Sequence, residues 1–323
     1  MRAATEGDQD AFAALMHRHR RELHVHCYRM LGSFEEAEDR VQETFTKAWR
    51  KRKTFEGRST YRAWLYRIAT NTCLESLRRR PRQALPHGEG GRLPPYSDFT
   101  QLQPYPDRLL DELESTEEGP DAVSVARETI ELAFLAVIQL LPPRQRAVLI
   151  MRDVLAFSAA ETAHVLHASV AAVNSALQRA RATLATYRAG DAAEFSPRPA
   201  TEQERRLVEQ YMDAHERADP AAVVAMLADD ARLTISPMGM VWDGKEEITP
   251  GFMENMNSLG EFRCVATRAN RQPAVANYLR AWGDDRYRAF SLVVLGIDDG
   301  AVVEMTTFAE PSLFEAFELP SLV

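Results

Sequence analysis

Between Pro81 and Pro120 the sequence denies itself regular structure. Pro86, Pro94, Pro95, Pro104 and Pro106 remove backbone donors, and Gly88, Gly90 and Gly91 add chain freedom. Sequence with helical periodicity lies on both sides, so this stretch separates modules instead of interrupting one core. A second break runs from Asp191 to Pro199. The 323 residues are too many for one ordinary core. The expected organisation is therefore multidomain: a module over 1–82, a linker over 83–121, a second module over 122–188, a short linker over 189–202 and a third module over 203–323.

Charge follows the same partition. Residues 1–85 carry 18 Lys and Arg against 11 Asp and Glu, whereas residues 191–323 carry 12 against 23. The first linker is acidic and the second module mildly basic. Two basic blocks with an acidic appendage suit a divided polyanion-binding protein. No run of eighteen apolar residues suggests a membrane span, and the first residues lack the apolar stretch of a signal peptide. Cys27, Cys73 and Cys264 are far apart and form no C-x-x-C pair, which predicts a reducing cytoplasmic setting without a disulfide framework or zinc finger. His24-Val25-His26-Cys27 is not expected to bind metal, because positions two apart diverge on a helix. No cofactor is expected.

The sharpest local pattern is Phe157–Leu177. Ser158 and Glu161 form a capping box, His167-Ala168-Ser169 is a short turn, and Ser169 can cap the next helix. This is helix-turn-helix spacing. On the second helix Val173, Ala176, Leu177 and Ala180 share a core-facing side. Ala171, Ser175, Gln178 and Arg179 face away, with Asn174 on the flank. Short polar side chains beside Gln and Arg suit base edges in a major groove, and Arg181 suits phosphate. An ordinary helical hairpin with a solvated face has the same periodicity.

From Asp8 to Arg82 the pattern is helical, with breaks at Gly32-Ser33 and Gly57. Over Thr60–Arg80, Tyr61, Leu65, Ile68, Ala69 and Thr72 fall on one side. Thr60, Arg67, Asn71 and Arg78 fall opposite, with Trp64 at the border. Cations beside an aromatic suit single-stranded nucleic acid, and the preceding loop from Thr54 to Ser59 can hold an extruded base. Core packing of Trp64 and Tyr61 fits equally well. The helix over Ala37–Trp49 mixes acids with Val41, Phe45 and Trp49, a pattern suited to a partner helix.

In order, Tyr28–Phe45, then Trp64–Asn71 with Leu77–Arg80, then Leu141–Leu149 followed by the helix-turn-helix, resemble the sigma-70 family, and within it the extracytoplasmic-function group. The resemblance covers about residues 5–188. It implies a helical region 2 bundle, a flexible linker, a region 4 helix-turn-helix and a protein that directs core RNA polymerase to promoters. It assigns polymerase contact to Glu38, Asp39, Gln42, Glu43, Phe45 and Trp49. It assigns the minus-ten element to Phe55, Gly57, Arg58, Ser59, Trp64, Arg67, Asn71 and Arg78. It assigns the minus-thirty-five element to Ala171, Asn174, Ser175, Gln178, Arg179 and Arg181. The acidic linker would thread through polymerase near the template strand. Asn174 stands where the family often has a basic residue.

Residues 203–323 combine one or two amphipathic helices with strand-like runs over Ala231–Ile235, Phe262–Arg268, Tyr287–Leu295 and Val302–Phe308, an α+β pattern. The motifs around Tyr211–His215, Leu227–Ala231 and Val241–Ile248 resemble the cone-shaped SnoaL-like domains of the nuclear-transport-factor-2-like superfamily. Some extracytoplasmic-function sigma factors carry such a domain as a built-in regulator. The resemblance therefore implies contact between this domain and the sigma domains and no obligate separate anti-sigma factor. Here Ser236–Met240 replaces a Gly-rich acidic stretch found in one such group. Two other readings are open. A cone can host acid–base chemistry, with Asp213, His215, Asp230 and Glu304 as candidates, or a ligand pocket lined by Trp242, Met238, Met240, Phe252 and Phe290. Enzyme activity is not expected. A DNA-binding regulator that never joins polymerase is the remaining alternative.

Overall fold

The computed structural model describes residues 6–55, 57, 60–79, 102–114, 130–191, 201–256 and 258–323. They fall into two compact units. One combines described residues of 1–94 and 112–195; the other combines those of 95–111 and 196–323.

The first unit is helical. Helix α1 (Gln9–Leu31) starts at Asp8, whose carboxylate accepts from Ala11 N, and ends at Gly32. Gly32 has φ 78°, a left-handed conformation that glycine adopts without a Cβ penalty. Ser33 immediately caps α2 (Phe34–Lys51). Helix α3 (Tyr61–Arg79) closes the bundle, burying Tyr61, Leu65, Ile68, Ala69 and Thr72 as its periodicity predicted. The buried face is not purely apolar: His26 shares a 2.9 Å hydrogen bond with Thr70. Burial pushes both His24 and His26 down to about 3, with neighbouring arginines adding to the effect.

After helix α4 (Asp107–Glu114), which belongs mainly to the second unit, the first unit resumes. It continues through α5 (Leu132–Gln139) and α6 (Pro143–Leu149), the latter with proline in its first turn as expected. A π-helical turn at Ile150–Val154 leads to α7 (Ala159–Leu166) and α8 (Val170–Asp191). Both halves of the Ser158–Glu161 capping box form. The turn uses His167, φ 50°, as its left-handed residue, so Ala168 need not take that role.

The second unit contains α9 (Glu202–Glu216), α10 (Pro220–Ala225), α11 (Lys245–Asn255) and α12 (Leu313–Ala316) around one six-stranded sheet. Its strands are β1 (Leu227–Ser236), β2 (Met240–Asp243), β3 (Gly260–Ala269), β4 (Gln272–Ala281), β5 (Arg288–Asp298) and β6 (Ala301–Phe308). The order is β2-β1-β6-β5-β4-β3, with β1 parallel to β6 and the other neighbours antiparallel. Bulges interrupt β4/β5 and β5/β6, and such bulges bend a sheet. The inner face packs Val275, Val293, Leu295, Val302 and Met305 against Leu207, Tyr211 and Ile248. This is the α+β cone implied by the resemblance. Two strands escaped the sequence reading. β2 is only four residues long, and β4 contains Pro273 and Asn277, residue types depleted from strands.

Candidate polymerase and promoter interface

Helix α2 presents the residues assigned to polymerase. Asp39 and Gln42 are exposed, and Glu38, Glu43, Phe45 and Trp49 are half-buried. Several already have partners. Glu38 pairs with Arg20, and Gln42 donates to it. Glu43 lies 2.6 Å from Arg40 and 2.9 Å from Lys47. Trp49 packs edge-on to Phe12 at 4.9 Å and under the Arg52 guanidinium at 4.0 Å. The helix therefore offers an acidic ridge whose aromatic end is anchored in the bundle.

The minus-ten candidates divide into three sets. Arg58 and Ser59 lie outside the described residues. Trp64 is buried, between Tyr61 at 5.1 Å and Phe55 at 5.7 Å, so it belongs to an aromatic cluster that supports the loop. Gly57, φ 71°, stands in that loop, and Arg78 is exposed at the far end of α3. Arg67 and Asn71 are half-buried against the helix-turn-helix. Arg67 lies 3.2 Å from His164 Nε2, and Asn71 donates weakly to Val165 O at 3.4 Å.

That contact is stitched elsewhere. The buried Arg146 on α6 donates to Met30 O, to Gln139 O at 2.7 Å and to Leu141 O at 3.2 Å. Gln139 donates to Arg29 O at 3.2 Å, and Tyr66 meets Phe157 at 5.6 Å. A guanidinium shared among three carbonyls is the signal that sequence reading missed; an arginine in an amphipathic helix looks solvated until the fold buries it.

On α8, Val173, Ala176, Leu177 and Ala180 are buried, while Ala171, Asn174, Ser175, Gln178 and Arg179 are exposed. Arg181 is exposed as well but forms a two-pronged ion pair with Asp153, at 2.7 and 2.9 Å.

In the second unit, residues 102–111, which sequence alone puts in the linker, are held by the cone. Tyr105, fully buried, exchanges backbone bonds with Asn270: its N–H donates to the Asn270 side chain at 2.7 Å, and its carbonyl accepts from Asn270 N at 2.9 Å. Asn270 and Arg271 form the β3–β4 turn, with φ 55° and 66°. Asn tolerates this conformation; Arg does so only when held. Asp107 holds it, accepting from Arg271 N at 2.7 Å and from Arg268 at 3.0 Å. Asp111 pairs with the Arg271 side chain, Gln103 donates to Glu310, and Arg108 donates to Ala316 O. Burial lifts the Asp107 carboxyl above the usual carboxylate range, while the Arg271 backbone N–H and the two guanidinium groups pull the other way.

The enzyme candidates do not assemble. Asp213 is exposed and pairs with Arg217, Asp230 is exposed, Glu304 is half-buried beside the β5/β6 bulge, and only His215 is buried on the inner face. Of the proposed pocket residues, Trp242, Phe252 and Phe290 are half-buried, whereas Met238 and Met240 are exposed on the β1–β2 hairpin. Among the described residues no helix is long and apolar enough to cross a membrane, and no cluster of His, Cys, Asp or Glu is arranged to hold a metal ion.

A helical bundle with an acidic ridge, followed by a helix-turn-helix with an exposed polar face, is the arrangement of a sigma-type initiation factor. Residues 15–83 match the Sigma-70 region 2 family, and residues 131–184 match the Sigma-70, region 4 family. The ECF RNA polymerase sigma factor SigG of Mycobacterium tuberculosis is 39% identical over 318 residues, covering 96% of this chain and 84% of SigG. The chain belongs to the extracytoplasmic-function RNA polymerase sigma factors. SigW of Bacillus subtilis is 30% identical over 55% of this chain and 89% of its own length. Among solved structures, that of the M. tuberculosis extracytoplasmic function sigma factor SigJ has the same fold, with TM-score 0.58, covering 95% of this chain and all of that one at 20% identity. Core RNA polymerase and promoter DNA are accordingly its partners, and directing one to the other is its function.

Proposed function

We propose that this sigma factor is gated by its own C-terminal domain, which acts by holding the linker between regions 2 and 4. The observation that carries this reading is the Asp107–Arg271 anchor. A linker segment whose backbone and carboxylates are engaged by the cone is not available to follow a path through polymerase. The acidic cone would then serve as a regulator and not as an enzyme, without an obligate anti-sigma partner, in the cytoplasm. In this scheme the working modules are 1–82, 122–188 and 203–323, with residues 102–111 acting alongside the last.

At residue level, Glu38, Asp39, Gln42, Glu43, Phe45 and Trp49 form the polymerase face. Phe55–Ser59, Trp64, Arg67, Asn71 and Arg78 serve the minus-ten element, and the exposed face of α8 serves the minus-thirty-five element. Contact of Arg67 and Asn71 with α7 means that melted DNA requires α3 and α7 to separate.

The test is run-off transcription with purified core polymerase. Truncation after Arg188 and the anchor-breaking Asp107→Asn/Arg271→Ala pair are each expected to raise output at the cognate promoter severalfold. Equal output from full-length, truncated and anchor-broken proteins would sink the gating reading. Charge reversal of Asp39 and Glu43 is expected to abolish polymerase binding. If promoter activity survives it, α2 is not the polymerase face.

A further inference from the structure

The β3–β4 hairpin closes with two residues, Asn270 and Arg271, because Ala269 and Gln272 are its last paired positions. Both turn residues have positive φ, 55° and 66°. Two-residue turns of this kind favour Asn followed by Gly, which takes the left-handed conformation without strain. An arginine at the second position carries a conformational cost, so what it contributes there is informative. It contributes donors. The Arg271 N–H, the Arg271 guanidinium and the Arg268 guanidinium all point to one place beside the turn. Arg268 is held there by the turn itself, donating to Arg271 O at 2.9 Å. That part of the donor set is positioned within the hairpin and does not need the linker to assemble it.

Two linker carboxylates fill this donor set. Asp107 accepts from Arg271 N at 2.7 Å and from Arg268 Nε at 3.0 Å, and lies 3.9 Å from the Arg271 guanidinium. Asp111 pairs with the same Arg271 guanidinium. The two occupants differ in access. Asp107 is buried, whereas Asp111 is exposed and the Arg268 side chain is 38% exposed. Solvent therefore reaches the cluster from the Asp111 side. Burial also works against the charged form of Asp107 and raises its carboxyl despite the donors around it. The inner occupant thus matches the donors in geometry, while its desolvation is not fully offset.

Two guanidinium groups and a turn N–H gathered around two negative charges form the donor pattern that receives a phosphate. A phosphate monoester puts on one tetrahedral group the two charges that here come from two side chains, together with three strong acceptor oxygens. A carboxylate monoanion would leave one arginine without a counter-charge, and a phosphate diester carries a single charge. Nucleic acid, a chain of diesters, is disfavoured further by its surroundings, since residues 191–323 carry 12 Lys and Arg against 23 Asp and Glu.

We propose that Arg268 and the Arg271 turn form a binding site for a small phosphate monoester, of which Asp107 and Asp111 are the built-in occupants, and that the monoester loosens the linker by taking their place. Exchange starts at the exposed Asp111 and ends at the buried Asp107. The site stands on the geometry of the hairpin; its consequence for transcription rests on the gating reading.

The full-length protein and its Asp107→Asn/Asp111→Asn variant, which removes both charges and keeps the side-chain shapes, are titrated calorimetrically with methyl phosphate and dimethyl phosphate at constant ionic strength. The variant is expected to bind methyl phosphate about tenfold more tightly than the wild type, the worth of one charge-assisted hydrogen bond. Dimethyl phosphate should bind it far more weakly. Adding Arg268→Gln, at a partly exposed position, should weaken methyl phosphate binding severalfold. In the wild type, saturating methyl phosphate should speed amide hydrogen exchange at Arg271 and over residues 107–111, whereas sodium chloride of the same ionic strength should not. Affinity no higher in the double variant than in the wild type overturns the proposal. So does equal loosening by sodium chloride, or affinity unchanged by Arg268→Gln in protein with an unaltered melting curve. Run-off output is read separately: binding and loosening with no change in transcription would fault the gating reading and leave the site standing, and the reverse result would fault the site alone.

Discussion

The two surfaces proposed to meet promoter DNA sit in one helical unit and are in opposite conditions. The outer face of α8, with Ser175, Gln178 and Arg179, is exposed. The polar stripe of α3 is turned toward α7, where Arg67 and Asn71 find partners in His164 and Val165. The proposed duplex face of α8 is thus already open, whereas Arg67 and Asn71 are uncovered only if the helix-turn-helix moves; Thr60 and Arg78, at the ends of the stripe, are exposed. The difference arises because α8 needs only one side for packing, while the stripe lies beside the seam that Arg146 holds together. Under the proposed residue roles, such a factor touches duplex before it engages melted DNA.

The strongest way to break this comparison is Arg146→Ala. It leaves three buried carbonyls without their guanidinium and is expected to destabilise the first unit by about 3 kcal/mol. Urea unfolding of the 1–191 fragment followed by helical circular dichroism reads the loss. If stability is unchanged, the seam is not what holds α3 to α7.

Acid should come next. His24 and His26 have folded-state values near 3, below the ordinary 6.5. The unfolded chain therefore binds more protons between those limits. Their contribution is fully present above about pH 6.5 and is lost as the pH falls toward 3. Between pH 7 and pH 5 the region 2 bundle should lose on the order of 1–2 kcal/mol per histidine. His26→Gln should flatten the profile measured by urea titration at each pH. An unflattened profile would place the acid sensitivity elsewhere.

Arg179→Ala sharpens the comparison from the exposed side. It should leave stability within about 0.5 kcal/mol while lowering affinity for promoter duplex by roughly tenfold, read by fluorescence anisotropy of a labelled promoter fragment with holoenzyme. A stability loss without a binding loss would return α8 to an ordinary hairpin. The smallest effect belongs to Ser158→Ala, which removes the capping box of α7 and should cost about 1 kcal/mol. Hydrogen exchange should localise that loss to α7; a uniform change across the unit would contradict a local cap.

Much of this was legible without coordinates because it depends on short-range periodicity. The buried side of α3, the buried quartet on α8, the Ser158 cap and the Gly32-Ser33 break all follow from residues within one or two helical turns of each other. The candidate polymerase and promoter residues are proposed from ordered local motifs, through the family resemblance. The strand β4 was not, because Pro273 and Asn277 read against a strand and only pairing on both sides makes it one. Trp64 illustrates an ambiguity that spacing cannot resolve: the same position borders a polar stripe and closes an aromatic cluster with Phe55 and Tyr61.

The sequence by itself determined the class of each fold and the family, since helical periodicity and ordered motifs are properties of neighbours along the chain. Only the tertiary structure decided that Arg146 is a buried staple and that Asp107 clamps a strained turn at Arg271. Each of these joins residues distant in sequence. Burial and hydrogen-bond closure are settled there by packing, which no local spacing encodes.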